Sequence, residues 1–286
     1  MNTLVIGCGY LGSALADSLA EEGHGCVTAD CLEGRGDYLV DLADRNSVLG
    51  LAAVLQKEGK GGVAPACVFL CASTAGGGED AYRKVYEEGA RNVVEAFPGS
   101  RVVMCSSTSV YDVGDGQWVT EVHSCHPATP RAKSLLEAEK TVLSSSGIVA
   151  RLSAIYGPGR CVVLSRFANE ARVIGEKSRW VNYIHRDDAA SALILLASSP
   201  DARGRRFNVS DTSPMQMGDI YEVLSDALDL PIPTPAPFSG QIEDKRRRGR
   251  SNQRVSCSLL LSMGWSPLYP SFADGIYNVL EAVEEQ

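Results

Sequence analysis

An α/β chain built on a doubly wound parallel sheet is the fold class that the sequence predicts, and three observations carry it. Short apolar runs alternate with helix-period segments through the first 160 residues, a glycine-rich turn joins the first run to the first helix, and the 286 residues leave room for one large domain with a smaller one. Hydrophobic residues make up 44% and charged residues 22% of the chain, the balance of a globular enzyme and not of a disordered segment.

Strands are expected at Leu4–Ile6, Cys26–Ala29, Ala66–Cys71, Arg101–Cys105 and Gly147–Leu152, with helices at Gly12–Glu22, Arg45–Glu58, Asp80–Ala96 and Arg131–Ser144 between them. Strands separated by helices pair in parallel through right-handed crossovers, which is the doubly wound arrangement. Regularity weakens after Gly159. Helical patterns cover Val162–Gly175, Asp187–Ala197, Met217–Leu228 and a last stretch from Phe272, and Arg206–Val209 reads as a strand. Four prolines in Pro231–Gly240 exclude helix or central strand there. The expected plan is a nucleotide-binding domain over 1–160, with returning pieces near 180–211, and a small C-terminal substrate lobe formed mainly by 161–286, the substrate lying in the cleft between them.

Charge and cysteine content narrow the functional classes. A formal net charge of −8 opposes general nucleic-acid binding, which needs a basic face. No apolar run reaches the roughly 18–20 residues that span a bilayer, so no membrane association is expected. Met1–Ile6 enters a strand-like run without a basic leader, so no secretory signal is expected. The nine cysteines include no CxxC pair, and Cys67, Cys71 and Cys105 sit inside apolar runs, so free thiols and a cytoplasmic setting are expected. His123, Cys125 and His126 carry metal-capable atoms, but no fourth ligand is indicated, and no metal is expected.

The first chemical motif is Gly7-Cys8-Gly9-Tyr10-Leu11-Gly12, directly after the first strand and opening the first helix. Gly7 makes the tight turn, Gly9 admits a pyrophosphate close to the backbone, Gly12 lets helix and strand pack, and the helix end offers N–H groups and a positive dipole end. Asp30 closes the second strand, where a carboxylate binds ribose hydroxyls and repels a 2′-phosphate. NAD is therefore expected over NADP, with Arg35 a rival ligand for a 2′-phosphate. Asp41 and Leu42 face either the adenine edge or, for Asp41, a helix cap.

Several motifs occur in order: this turn, Asp41-Leu42, Cys71-Ala72-Ser73-Thr74, Cys105-Ser106-Ser107-Thr108-Ser109-Val110-Tyr111, Arg151 through Arg160, Asn182-Tyr-Ile-His-Arg-Asp-Asp188, Phe207 through Asp211, and Gly264-Trp265. With them the chain resembles the extended short-chain dehydrogenase/reductase proteins of the NAD-dependent epimerase/dehydratase family, over nearly its whole length. The resemblance implies a Rossmann domain holding NAD through Gly7, Gly9, Tyr10, Leu11, Gly12, Asp30, Asp41, Leu42, Ala72, Ser73, Ser106 and Leu152. It places Ser107 at the catalytic Ser/Thr position and Arg131 and Arg160 toward the substrate.

One departure separates the chain from the family pattern: no Tyr-x-x-x-Lys occurs anywhere in it. Matching Pro127-Ala-Thr-Pro130 and Leu136-Glu-Ala-Glu139 to the family segment puts Arg131 at the tyrosine position and Leu135 at the lysine position. The chain thus resembles an atypical subgroup with the GCGYLG turn and no Tyr-Lys pair. Lys133 lies about 200° around the helix from Arg131 and cannot substitute. A guanidinium is a poor general acid but binds anions. Tyr111 is the nearest phenol to Ser107 in sequence, read either as a catalytic acid or as a packed aromatic. His185 reads as a capping or packing residue, and Lys245–Arg250 as a solvated loop or an anion-binding border of the substrate cleft.

The expected activity is that of an NAD(P)-dependent oxidoreductase or epimerase on a small-molecule, polar substrate, with hydride passing to or from the nicotinamide and a homodimer left open. Two rivals stand beside it. A non-catalytic NAD(P)-binding sensor is favoured by the missing Tyr-Lys pair, and a nucleotide-sugar epimerase/dehydratase is disfavoured by a chain somewhat short for that branch.

Overall fold

The computed structural model describes residues 1–58, 64–74, 76–127, 129–168, 176–233 and 251–284. In chain order the elements begin with β1 (Asn2–Ile6), α1 (Tyr10–Glu21), β2 (Gly25–Asp30), β3 (Tyr38–Leu39), α2 (Arg45–Glu58) and β4 (Cys67–Leu70). There follow α3 (Glu79–Tyr82), a π-helical turn at Arg83–Glu88, α4 (Gly89–Ala96), β5 (Arg101–Ser107), β6 (Trp118–Val119), α5 (Pro130–Ser144), β7 (Ile148–Leu152) and β8 (Ala154–Tyr156). The remainder comprises α6 (Val162–Ala168), β9 (Trp180–Val181), β10 (Tyr183–His185), α7 (Arg186–Ser198), β11 (Arg206–Val209), β12 (Met215–Gln216), α8 (Met217–Leu228), β13 (Arg254–Val255), α9 (Ser258–Ser262) and α10 (Phe272–Glu284).

Seven strands form one sheet in the order β11-β7-β5-β4-β1-β2-β3. Pairing is parallel from β7 through β3, with Leu4 opposite Val27 on one side and Val68 on the other. Such strands are covered on both faces and read as near-continuous apolar runs: every residue of β4 and β7 is buried, Arg151 of β7 among them. The order of connection reverses between β1 and β4, so the carboxyl ends of these two strands form the topological switch point where doubly wound sheets take ligands. This is the Rossmann arrangement the strand–helix alternation predicts.

The chain divides into two compact units. The first comprises Met1–Val110, Cys125–Leu152 and Ala189–Phe207; the second comprises Tyr111–Ser124, Ser153–Asp188 and Asn208–Gln286. The core of the second unit is aromatic, with Tyr156, Phe167, Tyr221 and Phe272 packed among Ile220, Leu224, Ile276 and Val279. Its three two-stranded sheets are short: β10 with β8, β12 with β9, and β13 with β6. Gly275 is required there, because a Cβ on it would come within 2.1 Å of the Tyr156 hydroxyl.

Two expected elements differ in detail. Helix α1 starts at Tyr10, not Gly12, and Gly9 takes the cap position. The segment expected as one helix over Asp80–Ala96 contains the π-helical turn, a widening of the helix that an apolar periodicity does not report. The expected helix Val162–Gly175 is described as far as Ala168; residues 169–175, 234–240 of the proline-rich stretch and the basic run Lys245–Arg250 lie outside the described residues. Among the described residues no helix is long and apolar enough to cross a membrane, and all nine cysteines are unbridged.

A buried ion pair ties α5 to the sheet. Arg151 on β7 and Glu139 on α5 are 1% and 2% exposed. The guanidinium donates from Nη2 to Glu139 Oε2 at 2.6 Å and from Nε to Oε1 at 2.9 Å, while Ser106 Oγ donates to Oε1 at 2.6 Å. Removing one partner strands a buried charge, so Glu139→Ala is expected to lose about 3–5 kcal/mol of stability. The double change Glu139→Leu with Arg151→Met, which removes both charges and keeps the volume, is expected to lose much less. Urea unfolding of the two variants checks this; equal losses would show that the pair's charge is not what matters.

Candidate functional site

The turn after β1 is shaped by missing side chains. Gly7 has φ +98°, a left-handed value that glycine accepts without strain. A Cβ on Gly7 would stand 2.4 Å from the backbone nitrogen of Ala72, and one on Gly12 would stand 1.9 Å from the carbonyl oxygen of Gly7. Turn, helix and the residue after β4 are therefore in backbone contact at the switch point. A Cβ on Gly9 would meet nothing within 4 Å, and no side chain caps the first turn of α1. The N–H groups of that turn, including those of Tyr10 and Leu11, point out of the helix end.

Asp30 is 6% exposed and closes this turn from the β2 side. Its Oδ2 accepts the Cys8 N–H at 2.7 Å and its Oδ1 accepts the Leu32 N–H at 2.9 Å. Asp41 does not cap α2. Its Oδ1 accepts the Ala43 N–H at 2.9 Å, while Asp44 accepts the Asn46 N–H at 2.9 Å at the helix start. Leu42 is buried, and its carbonyl accepts from Asn92 Nδ2 on α4 at 2.8 Å. Ala72 is half-buried and Ser73 exposed after β4.

Thiols gather beneath the turn. Cys71 and Cys105 follow neighbouring strand positions with their sulfurs 3.6 Å apart. The hydrogen bond with Cys105, reinforced by burial, holds the Cys71 thiol well above its ordinary pKa. Burial raises that of Cys8, with Asp30 adding to it, and pushes Cys67 up to about 12. These three thiols stay protonated at neutral pH.

At the end of β5, Ser106 is buried and spent on Glu139, whereas Ser107 is half-buried and its Oγ accepts the Ser109 N–H at 3.2 Å. Ser107 pairs in register with Leu152 on β7. Arg131, in the first turn of α5, lies with its guanidinium carbon 5.4 Å over the Tyr82 ring, and Leu135 is buried at 4% exposure. The first unit thus holds the glycine turn, Asp30, Ala72, Ser73, Ser106, Ser107, Arg131 and Leu152. Tyr111 and Arg160 fall in the second unit. Tyr111 is 2% exposed and donates its hydroxyl to Asn208 Oδ1 at 2.6 Å, with its ring edge-on to His123. Arg160 is exposed beside a tight turn closed by reciprocal Gly157 and Arg160 backbone bonds at 3.0 Å.

His185 belongs to the packing of the second unit. It is fully buried, its ring lies 4.1 Å from that of Tyr269, and burial pushes its pKa down, so it stays neutral. Among the described residues no three His, Cys, Asp or Glu side chains gather as a metal site. Motif reading missed the Arg151–Glu139–Ser106 network and the seat of Arg131 on Tyr82. An arginine inside an otherwise apolar strand was the available signal for the first, since such a charge needs a buried partner.

Asp211 gives a pH test. It is 1% exposed, its Oδ1 has no hydrogen-bond partner, and burial holds its pKa well above the ordinary value, with Asp188 and Asp274 raising it further. A carboxyl raised on folding contributes stability that is present below the unfolded pKa of about 4 and lost as pH rises through the folded value. Asp211→Asn is expected to flatten the fall in melting temperature from acid to neutral pH. Identical slopes for variant and wild type would remove Asp211 from the account.

Residues 3–210 match the model of the NAD dependent epimerase/dehydratase family. The chain is 27% identical over 319 residues to a UDP-glucose 4-epimerase of Mycolicibacterium smegmatis, covering 98% of each. It is 28% identical over 258 residues to a 2-alkyl-3-oxoalkanoate reductase of Stenotrophomonas maltophilia, covering 79% of this chain and 74% of that one. The structure of the Thermus thermophilus UDP-glucose 4-epimerase in complex with NAD superposes with a TM-score of 0.78 at 21% identity, covering 99% of each chain.

Proposed function

The chain belongs to the NAD dependent epimerase/dehydratase family, and we propose that it is an NAD-dependent oxidoreductase or epimerase acting on a small polar substrate. The observation that carries this reading is the open Gly9 backbone at the uncapped end of α1, with Asp30 beside it. These residues fit a dinucleotide. The N–H groups at the start of α1, a helix end that no side chain caps, suit a pyrophosphate, and each Asp30 oxygen accepts one N–H and keeps a lone pair for a ribose hydroxyl. The Asp30 charge also repels a 2′-phosphate, so NAD is preferred to NADP. Asp41 and Leu42 border the adenine end, and Ala72, Ser73, Leu152 and the main chain of Ser106, whose hydroxyl is taken by Glu139, complete the cofactor contacts in this reading.

Bound NAD supplies the hydride donor or acceptor at the nicotinamide. Ser107 binds the reacting oxygen: because its Oγ accepts from Ser109, its hydroxyl proton is free to be donated. Arg131 is a permanent cation and holds an anionic or electron-rich substrate group, as does the exposed Arg160. Tyr111 would have to abandon Asn208 and leave a site 2% exposed to pass a proton, so it keeps a packing role here. With no Tyr-x-x-x-Lys in the sequence, we place the chain in an atypical subgroup in which the α5 pair is replaced by Arg131 and Leu135. Proton transfer then falls to Ser107 or to the substrate itself. Full-length similarity to a UDP-glucose 4-epimerase favours a second reading, a nucleotide-sugar substrate in the same site.

Titration calorimetry is expected to show NAD binding more tightly than NADP, with Asp30→Ala weakening NAD and narrowing the difference. Tighter NADP binding by the wild type would transfer the selectivity to Arg35. Nicotinamide absorbance, followed with a 2-alkyl-3-oxoalkanoate and with UDP-glucose, tests turnover. Retained NAD with no turnover of either would point to the non-catalytic sensor.

Once a substrate is in hand, Ser107→Ala is expected to lower kcat by about 10²–10³, the usual loss for one oxyanion-binding donor, while Tyr111→Phe stays active. Full activity in Ser107→Ala with a dead Tyr111→Phe would reverse these assignments.

A further inference from the structure

Within the second unit an arginine is held between two tryptophans. Arg254 stands on β13 directly opposite Trp118 of β6. Its guanidinium carbon lies 5.2 Å from the ring centre of Trp118 and 4.9 Å from that of Trp180 on β9. Its Nε donates to the Gly116 carbonyl at 2.8 Å. Gly116 has φ +80°, and a Cβ there would press to 3.1 Å from the Trp180 ring, so the chain passes close against that indole.

The surrounding backbone is cross-tied. Asn252 accepts the Gly116 N–H at 2.7 Å through its carbonyl and the Trp180 N–H at 2.9 Å through Oδ1. Asn182 donates from Nδ2 to the Gln253 carbonyl at 2.8 Å and accepts the Val255 N–H at 2.7 Å. Three chain segments thus fix the position of one cation. Yet among the described residues the two terminal nitrogens of Arg254 carry neither a hydrogen bond nor an ion pair.

We propose that the Trp118–Arg254–Trp180 stack is a ligand site, taking an oxyanion, phosphoryl or carboxylate, that is attached to a sugar or other ring. Both indoles lie within cation–π reach of the guanidinium, and the N–H groups of its two terminal nitrogens lie in its own plane. A guanidinium offers two parallel N–H bonds in that plane, which two oxygens of a phosphoryl or carboxylate group match. Trp118 is 50% exposed, and its open surface suits the C–H face of a sugar or the face of a base. The site stands on the geometry of the second unit alone and goes beyond the proposed function.

Two of the chain's three tryptophans flank Arg254, so indole fluorescence reports occupancy. UDP-glucose, glucuronate and inorganic phosphate are titrated separately into the full chain, with and without NAD. Saturable quenching is expected from UDP-glucose or glucuronate, and whichever binds identifies the oxyanion as phosphoryl or carboxylate. Inorganic phosphate, lacking a ring, is expected to bind more weakly.

Arg254→Lys, which keeps the charge and loses the planar fork, is expected to weaken binding about tenfold or more. Trp118→Ala is expected to weaken it about fivefold or more, with circular dichroism checking the fold and NAD affinity unchanged in both variants. Wild-type affinity in both variants, no saturable binding of any titrant, or an equal loss of NAD binding in Arg254→Lys would each overturn the proposal. Failure of NAD binding with the oxyanion arm intact would instead overturn the proposed function and leave this site standing.

Discussion

The closest constraint in the chain is the backbone contact at the switch point, where Gly12 meets the carbonyl of Gly7 and Gly7 meets the amide of Ala72. A methyl group at either glycine cannot be accommodated by rotating a side chain, because the obstructing atoms are main chain. Everything at that edge of the sheet follows from this approach. The turn lies low enough for the Cys8 amide to reach Asp30, the first turn of α1 opens outward beside it, and the segment after β4 is held against the turn without a side chain between. Cys71, whose amide bonds the Ile6 carbonyl at 2.8 Å, then has its thiol directed to Cys105 on the next strand.

A second brace fixes the other side of the same edge. Neighbouring residues of a strand point to opposite faces, so Ser106 and Ser107 have separate tasks. Ser106 turns toward α5 and is consumed by Glu139, which also holds Arg151. Ser107 is thereby presented on the opposite face, in register with Leu152. The buried ion pair ties the middle of α5 to β7 and, through Ser106, to the end of β5 where the Ser107 hydroxyl stands. Its value to the protein is positional more than energetic, since burying two charges recovers little net stability.

The sequence made the sheet legible and left the second unit mostly unread, for a physical reason. Long buried strands declare themselves as apolar runs, and Arg206–Val209 was visible even after the alternation had broken down. The two-residue strands Trp118–Val119, Trp180–Val181, Met215–Gln216 and Arg254–Val255 are too short to carry a period. Trp180–Val181 and Arg254–Val255 are tied together by Asn182 and Asn252, which bridge segments that only the folded chain brings together. The close-packed glycine turn was readable because the approach that requires its glycines is local to the first strand and helix. The cap role left open as the alternative for Asp41 falls to Asp44, three residues on, which lies at the actual helix start. Tyr111 had an ambiguous reading because its partner, Asn208, lies 97 positions away.

The first turns of α5 carry the sharpest chemical argument. Residues four apart share one helix face, so a Tyr-x-x-x-Lys pair requires that face to be polar at both positions. Here Leu135 is 4% exposed and Arg131 rests on the Tyr82 ring, which makes the face apolar below and cationic above. A lysine at 135 would bring an ammonium into packed surroundings where the carboxylate four residues on, Glu139, is already engaged by Arg151 and Ser106, and burial would disfavour its charged form. The departure from the family pattern is thus a change of the whole face, and one substitution does not reverse it. What the altered face still offers is a fixed positive charge in the first turn of α5. Such a charge stabilises a developing oxyanion without moving a proton. In the function proposed for this chain, such a face works by charge stabilisation, with proton exchange left to the Ser107 hydroxyl or to the substrate.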